Sequence, residues 1–283
     1  MSVKAIGTKN ESGSLFIETG GITKRLRKGI RQSHGILPVL AFFAIWEILS
    51  RTGIIDPLFL PSFSGTATTL INLLVSGKLL VHIGASLQRS LIGFGFAVLV
   101  GVPLGFLIGW YNKFEEYIDL LLQGLRNTST FALLPIFLLF LGLGETSKIA
   151  IVFYGALWNP LINTISGVKN VDPIYIKAAK SLGLSDRDIF RKIILPASMP
   201  SIVSGARLGA KTAIMVVIAA EMIGAKTGLG FFVQGAQFNF MIPEMYAGIL
   251  TLSILGVILN YFLLWIEKKA TYWKGGIDRA IIQ

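Results

Sequence analysis

Six apolar segments, separated by shorter polar stretches, set the hydrophobic pattern of this chain. A helix needs about 20 apolar residues to cross the hydrocarbon core of a bilayer, and the segments lie near this length, the first being shorter. Lipid offers no partners for backbone groups, so spans must be closed helices or barrel strands, and the alternation of barrel strands is absent. The pattern predicts an all-α polytopic membrane protein with spans at about 36–50, 86–110, 118–142, 147–168, 200–223 and 246–266.

Polar stretches at both ends give the expected organisation of the chain. Residues 1–35 are predicted to be a cytoplasmic N-terminal tail, residues 36–270 the transmembrane domain, and residues 271–283 a cytoplasmic C-terminal tail. A secretory signal peptide has a short basic start and a small-residue cleavage site, unlike this long polar leader. The first span is therefore expected to be retained.

The charge distribution supports this topology. Only 14% of the residues are charged, the mean hydropathy is +0.69 and the net charge is +11. Most of the basic residues fall in the two tails and in the loop 169–199, the segments that the predicted topology places inside. Cytoplasmic segments of membrane proteins carry such an excess of Lys and Arg. The basic excess therefore indicates topology and not a nucleic-acid partner.

The sequence offers little for catalysis or metal binding. It contains no cysteine, and its two histidines, His34 and His82, lie far apart. No Ser-His-Asp set, paired acid-base carboxylates or metal-ligand cluster can be recognised. We expect neither an enzyme nor a metal site.

Segment 53–80, between the first two spans, shows helical periodicity. Its apolar residues at i, i+3 and i+4 spacing would share one face. Such a helix either lies at the membrane surface or forms a docking surface for a partner. The predicted apolar face consists of Ala67, Leu70, Ile71, Leu74 and Val75.

Small residues recur every four positions along the second span. This spacing lets helix backbones approach each other closely. The stripe serves either packing within the chain or an interface between subunits. It consists of Gly93, Ala97, Gly101, Gly105 and Gly109.

A charged stretch, 172–196, interrupts the apolar pattern between the fourth and fifth spans and predicts a helical elbow. Asp172 caps a first helix, Pro173 suits its first position, and Gly183 supplies a left-handed residue that ends it. Ser185 restarts the chain as a cap, with Asp188 three residues on. We expect the second helix to end at Pro196 and the fifth span to restart at Ser198 and Pro200. A simple solvated loop remains the alternative to this rigid lever.

The elbow resembles the "EAA" loop of ATP-binding-cassette (ABC) importer permeases. That motif reads Glu-Ala-Ala, three residues, Gly, nine residues, Ile, any residue, Leu-Pro. Here Ala178, Ala179, Gly183, Ile193 and the pair Leu195–Pro196 are in register, whereas Lys177 stands in place of the usual Glu. The resemblance covers roughly residues 60–266. The flanking segments LLPIFLLFLGLGETSKI, NPLINTISGVKNVDP and AAEMIGAKTGLG are similar to the branch that imports aliphatic sulfonates, taurine, nitrate or bicarbonate.

The resemblance implies the fold of a type I importer permease, MetI-like, in a bacterial inner membrane. It implies a homodimer of two permease copies, two ATPase subunits that use ATP-Mg, and an extracytoplasmic substrate-binding protein. No cofactor is expected on this chain itself. The coupling elbow is expected to transmit force to and from the ATPase. By this resemblance its contacts are Lys177, Ala178, Ala179, Ser181, Leu182, Gly183, Leu184, Ser185 and Pro196.

Polar residues inside the spans are candidates for the pathway, because such residues are costly in lipid. Lys211 would line the path of an anion or extend towards the membrane surface, and Arg207 shares its helical face. Glu221 would act at a gate, or pair with Lys226 or with a helix end. Asn159 and Asn163, four apart, would bond neighbouring helices or line the pathway. Pro135 is expected to kink the third span.

Other functions fit the sequence less well. Gly-Ala-Lys-Thr occurs at 209–212 and 224–227, but Ala210 and Ala225 stand where a phosphate-binding loop needs Gly directly before Lys. The ATPase must therefore be a separate chain. A permease for another small solute, a channel or gradient-driven secondary transporter, and a membrane scaffold without transport remain the alternatives.

Overall fold

The computed structural model describes residues 22–56 and 58–271. The predicted all-α class is confirmed, and the described residues contain no strand. Eleven α-helices follow one another along this part of the chain. They are α1 Ile22–Arg51, α2 Phe63–Val75, α3 Lys78–Trp110, α4 Asn112–Asn127, α5 Leu134–Leu141, α6 Glu145–Lys169, α7 Pro173–Ser181, α8 Asp186–Ile189, α9 Leu195–Met222, α10 Leu229–Phe238 and α11 Ile242–Ala270.

Four segments within the described residues are long and apolar enough to cross a membrane. They correspond to the second, fourth, fifth and sixth predicted spans. The first predicted span lies within α1, which starts at Ile22, so the last part of the predicted N-terminal tail is helical. The rest of that tail, residues 1–21, and the C-terminal residues 272–283 lie outside the described part of the chain. The four segments are Lys78–Trp110, Glu145–Lys169, Asp186–Met222 and Ile242–Ala270.

The third predicted span is wrong as a single helix. The chain leaves the helical conformation after Asn127, where Thr128 is extended, and resumes it at α5. Short polar side chains such as Asn, Thr and Ser compete for backbone hydrogen bonds and so favour helix ends. Pro135 lies in the first turn of α5, where its missing N–H costs nothing, so it starts a helix and does not kink one.

The described residues divide into two compact units, one up to Phe63 and one from Ser64 onwards. In the first unit, the end of α1 is tied to the segment that follows it. The Trp46 indole nitrogen donates to the Pro61 carbonyl at 2.9 Å, and the Ser50 hydroxyl donates to the Leu60 carbonyl at 2.8 Å. The rings of Phe43 and Phe63 lie 4.5 Å apart between centroids. These bonds and ring contacts fix the turn that follows α1.

The centre of the second unit is formed by α3, α6 and α9. The small-residue stripe of α3 faces α6, because a Cβ at Gly93 would lie 2.6 Å from Val152 Cγ1 and one at Gly105 would lie 2.6 Å from Thr164 Cβ. The stripe therefore serves packing within the chain and is not a subunit interface. The buried core between the three helices includes Ala97, Ile151, Val152, Ala156, Ala213, Val216 and Val217.

The amphipathic helix α2 packs against α10 and α11 in the second unit. Leu73 is buried in a cluster with Leu229 and Ala247, and Leu70 packs against that cluster. The buried face of α2 is therefore rotated from the predicted face. Three residues of the predicted face, Ile71, Leu74 and Val75, are exposed.

Candidate functional site

The elbow predicted between the fourth and fifth spans is present. Asp172 Oδ1 accepts a hydrogen bond from the Ile174 backbone nitrogen at 2.8 Å, and Pro173 follows as the first residue of α7. Gly183 has a φ of 77° and ends the helix, while the Leu184 N–H donates to the Ala179 carbonyl at 3.1 Å. This left-handed glycine with a returning hydrogen bond is a standard helix stop, which fixes the angle of the elbow.

Ser185 starts the second arm of the elbow, as predicted. Its Oγ accepts from the Asp188 backbone nitrogen at 3.2 Å and donates to Asp188 Oδ2 at 2.7 Å. Lys192 forms an exposed ion pair with Asp188 at 2.9 Å. These contacts hold the first turn of α8 in place.

The predicted end of this arm at Pro196 is wrong. A π-helical segment, Phe190–Ile194, joins α8 to α9, and the Leu195 N–H bonds the Phe190 carbonyl five residues back. Such a wider turn absorbs the disruption that a proline causes in a regular helix. The helical path therefore runs from Asp186 to Met222, with Pro196 in the first turn of α9 and Pro200 inside it.

An apolar cluster attaches the elbow to the ends of α3 and α6. Ala179 and Ile189 are buried together with Val168 of α6. From α3, the Phe106 and Trp110 rings contact the Phe190 ring at 5.1 and 6.0 Å between centroids, both in edge-on geometry. The elbow is thus packed directly against the ends of both helices.

The expected ATPase contacts differ in exposure. Leu182 is 79% exposed, although it is a large apolar side chain, whereas Ala179 is 4% exposed and lies in the cluster beneath the surface. A cavity of about 560 Å³ borders this surface and is lined by Ala178, Leu182, Leu184, Ile193, Pro196 and others. The remaining exposed positions are Lys177, Ala178, Ser181, Gly183, Ser185 and Pro196, and Leu184 is half-buried.

An ion network lies at the far end of the core, where α6 begins and α9 ends. Arg89 donates from Nη1 to Glu221 at 2.7 Å and from Nη2 to Glu145 at 2.8 Å. The Arg89 and Glu221 side chains are 4% and 0% exposed. Glu221 also accepts from the Ser86 hydroxyl at 2.7 Å and from the Gly230 N–H at 3.0 Å. This carboxylate is therefore fully engaged inside the protein.

The same network holds the loop between α9 and α10. Arg89 Nη1 donates to the Thr227 carbonyl at 2.6 Å, and the Gly228 N–H donates to His82 Nδ1 at 3.1 Å. Glu221 therefore pairs with Arg89 and not with Lys226. Arg89 is not among the residues predicted from the sequence, although an arginine within an apolar span is a sufficient signal.

The other in-span candidates occupy different environments. Asn159 donates to the Thr212 hydroxyl at 3.0 Å, which joins α6 to α9, and Asn163 donates to the Asn159 carbonyl at 2.8 Å. Arg207 pairs with Glu267 of α11 at 2.8 Å. Lys211 lies on the exposed face of α9.

The described residues contain no group of three His, Cys, Asp or Glu side chains that could hold a metal ion. The two Gly-Ala-Lys-Thr copies lie within α9 and in the loop after it, so neither follows a strand.

Comparisons with known proteins agree with this architecture. The family model described as "Binding-protein-dependent transport system inner membrane component" matches residues 101–272. A putative ABC transporter permease of Methanocaldococcus jannaschii is 39% identical over 84% of this chain and 90% of its own length. A putative aliphatic sulfonates transport permease of Bacillus subtilis is 30% identical over 89% of this chain and 91% of its own length. The taurine transport system permease of Escherichia coli is 31% identical over 89% of this chain and 93% of its own length.

A solved structure shares the fold. The MetNI methionine ABC transporter in an inward-facing conformation has a chain that matches with a TM-score of 0.60 and 20% identity. The match covers 68% of this chain and 96% of that chain.

Proposed function

Because this chain belongs to the family of inner membrane components of binding-protein-dependent transport systems, we propose that it forms the pathway of an importer for a small anion. Within this family it is a multi-pass inner-membrane permease of an ABC importer and a transport component, not an enzyme. The proposed substrate is an aliphatic sulfonate, taurine, nitrate or bicarbonate. Relatives named for sulfonates and taurine support this substrate class.

We further propose that the elbow is the docking lever for a separate ATPase, which binds and hydrolyses ATP-Mg. The observation that carries this proposal is the unbroken helical path from Asp186 on the elbow to Met222 at the far end of the core. Because the elbow is also packed against α3 and α6, a displacement of the elbow would be transmitted to all three core helices. The exposed Leu182 would enter a groove of the ATPase, and Ala179 would support it from beneath.

The remaining partners follow from the same assignment. A second, identical permease copy would complete the pathway, each copy would engage one ATPase, and a substrate-binding protein would dock at the far end. The elbow would then lie on the cytoplasmic side, together with both termini. The basic residues of loop 169–199 and the tails support this orientation.

Among the predicted pathway residues, Lys211 fits the role best. It is exposed on the single chain within a membrane-spanning segment, where lipid would be a costly environment for a cation. At a surface shared with the second permease copy, Lys211 would instead lie beside the transported anion. Asn159 and Asn163 would join neighbouring helices at about the membrane depth of Lys211. Glu221 would belong to the buried ion network.

The docking proposal is tested by co-purification from membranes. The tagged chain is expressed with its cognate ATPase subunit, beside Gly183→Pro and Leu182→Asp variants. We expect the wild type to retain the ATPase and both variants to lose it, while all three keep the same elution volume in detergent. A wild type that retains no ATPase would contradict the proposal and favour a gradient-driven carrier.

A further inference from the structure

The break between α4 and α5 lies near the middle of the membrane-spanning core. The Tyr154 hydroxyl of α6 donates to the Leu125 carbonyl at 2.6 Å, and a Cβ at Gly155 would lie 3.1 Å from Thr130 Cγ2. At about 1.5 Å per residue, Gly155 lies roughly 15 Å from the start of α6 and about 21 Å from its end. The break therefore lies at mid-depth, far from both membrane surfaces.

The backbone of this break is only partly hydrogen-bonded. The Ala132 and Leu133 N–H groups both bond the Ser129 carbonyl, at 3.1 and 3.3 Å. The N–H groups and hydroxyls of Ser129 and Thr130 have no hydrogen-bond partner within the described residues. Non-helical backbone at membrane depth is tolerated only where protein covers it or water reaches it. Because Asn127, Thr128 and Ser129 are exposed on the single chain, the break must face a wet space or another subunit.

Arg126, in the last turn of α4, lies directly beside the break. It is exposed and forms no ion pair with any described residue. It borders a cavity of about 160 Å³ between α4 and α6, together with Trp158, whose buried indole N–H has no partner in the described structure. Arg126 is not among the predicted pathway residues, although it falls inside the third predicted span.

The acidic side chains of this cavity form no ion pair with Arg126 in the described structure. Glu115 forms an ion pair with Lys169, and Asp119 accepts a hydrogen bond from Gln123 at 2.6 Å. Several groups without a partner are donors, namely the guanidinium, the indole N–H and the N–H and hydroxyl groups of Ser129 and Thr130, while Asp119 keeps its negative charge. Donors of this kind at mid-depth suit an anion.

We propose that the α4–α5 break and Arg126 form an anion-binding element that lines the transport pathway. The planar guanidinium matches the paired oxygens of a sulfonate, carboxylate or nitrate, and Ser129 and Thr130 supply further donors. This element deepens the proposed function and rests on it. It also explains why a span of this protein is broken at a polar sequence.

The absence of cysteine from the chain permits a direct test in sealed membrane vesicles. Single Ser129→Cys and Leu99→Cys variants are treated with two membrane-impermeant methanethiosulfonates, one carrying a sulfonate and one a trimethylammonium group. Leu99 is the control, being 68% exposed on the apolar surface of α3. We expect Ser129→Cys to react, with a sulfonate-to-trimethylammonium rate ratio above that of a small free thiol in solution, while Leu99→Cys stays unreactive. A Ser129→Cys variant as unreactive as the control overturns the proposal.

Arg126→Gln in the Ser129→Cys background measures the contribution of the charge. A unit charge at about 7 Å in water changes each rate about threefold in opposite directions, so its removal at such a distance should lower the ratio of the two rates about sevenfold. Arg126→Lys should retain the preference, and Lys113→Gln, at the other end of α4, should not change it. An unchanged ratio of the two rates in Arg126→Gln overturns the proposal. If Ser129→Cys fails to fold, Thr128→Cys is used in its place. This test involves no ATPase, so its failure is separate from failure of the docking experiment.

Discussion

Arg89 and Glu221 form an ion pair, 2.7 Å between Nη1 and Oε1, that is almost completely removed from solvent. The two residues lie on α3 and α9, 132 positions apart in the chain. Because Arg89 also binds Glu145 and the Thr227 carbonyl, one side chain joins α3, α6, α9 and the following loop. This network stabilises the end of the core that is opposite the elbow.

Arg89→Met should destabilise the protein by about 3 kcal/mol or more, because it leaves Glu221, whose side chain is 0% exposed, as a buried charge without its cationic partner. The double variant Arg89→Met with Glu221→Leu should recover part of this loss, since an apolar pair of similar volume often replaces a buried ion pair at little cost. The stability of the single and double variants is measured by thermal unfolding in detergent, and the fraction of protein that keeps a monodisperse elution peak is the readout. A double variant with the summed loss of the two single variants would contradict the pairing.

Gly228→Ala should disrupt the same network through sterics alone. Gly228 has a φ of 122°, and a Cβ there would overlap the Glu221 carboxylate. Gly235→Ala is the matched control, because Gly235 lies inside α10 and a Cβ added there would meet no neighbouring atom within 4 Å. We expect a lower unfolding temperature for Gly228→Ala and an unchanged or higher one for Gly235→Ala, since alanine favours helix. Equal temperatures would contradict the contact.

Gly105→Leu tests the close packing of α3 on α6. A Cβ at Gly105 would lie 2.8 Å from the Leu161 carbonyl oxygen, so a larger side chain must push the two helices apart. Overpacking of this kind typically costs about 1–3 kcal/mol, and a helix displacement costs more. Gly95→Leu, on the same helix with open space around it, should be tolerated. The expected readout is loss of folded protein for Gly105→Leu alone.

The adjacent elbow residues Ala178 and Ala179 should respond differently to the same change. Ala179→Leu should lower thermal stability, because the alanine is buried among Val168, Ile189 and Ile194. Ala178→Leu, on the exposed surface, should leave stability unchanged and weaken ATPase binding instead. Unfolding temperature and co-purification of the ATPase separate these effects. A destabilised Ala178→Leu variant would contradict the assigned exposure.

The features that the sequence predicted correctly depend on neighbours within a few residues. Asp172 bonds a backbone group two positions on, Gly183 needs only its own left-handed conformation, and Ser185 caps a residue three positions on. Such local signals do not depend on tertiary contacts. The elbow could therefore be placed from the sequence alone.

The features that were missed depend on tertiary contacts or on competing local effects. The partners of Arg89 are 56 to 138 residues away, so no local pattern identifies them. At Pro196 a π-helical segment provides an alternative to the helix end that proline normally causes. In the third span the apolar composition suggested one helix, but the polar run that starts at Asn127 ends α4 within it.

Cross-linking of the elbow to the ATPase tests the central claim most directly. Leu182→Cys supplies a single thiol on the exposed elbow, and Ile71→Cys, which is 58% exposed on α2, supplies the control. Each variant is assembled in membranes with its cognate ATPase and treated with a short thiol-to-amine cross-linker. We predict a permease–ATPase product for Leu182→Cys and none for Ile71→Cys. Absence of the product at Leu182, with the ATPase present in the same membranes, would contradict the assignment of the elbow as the docking lever.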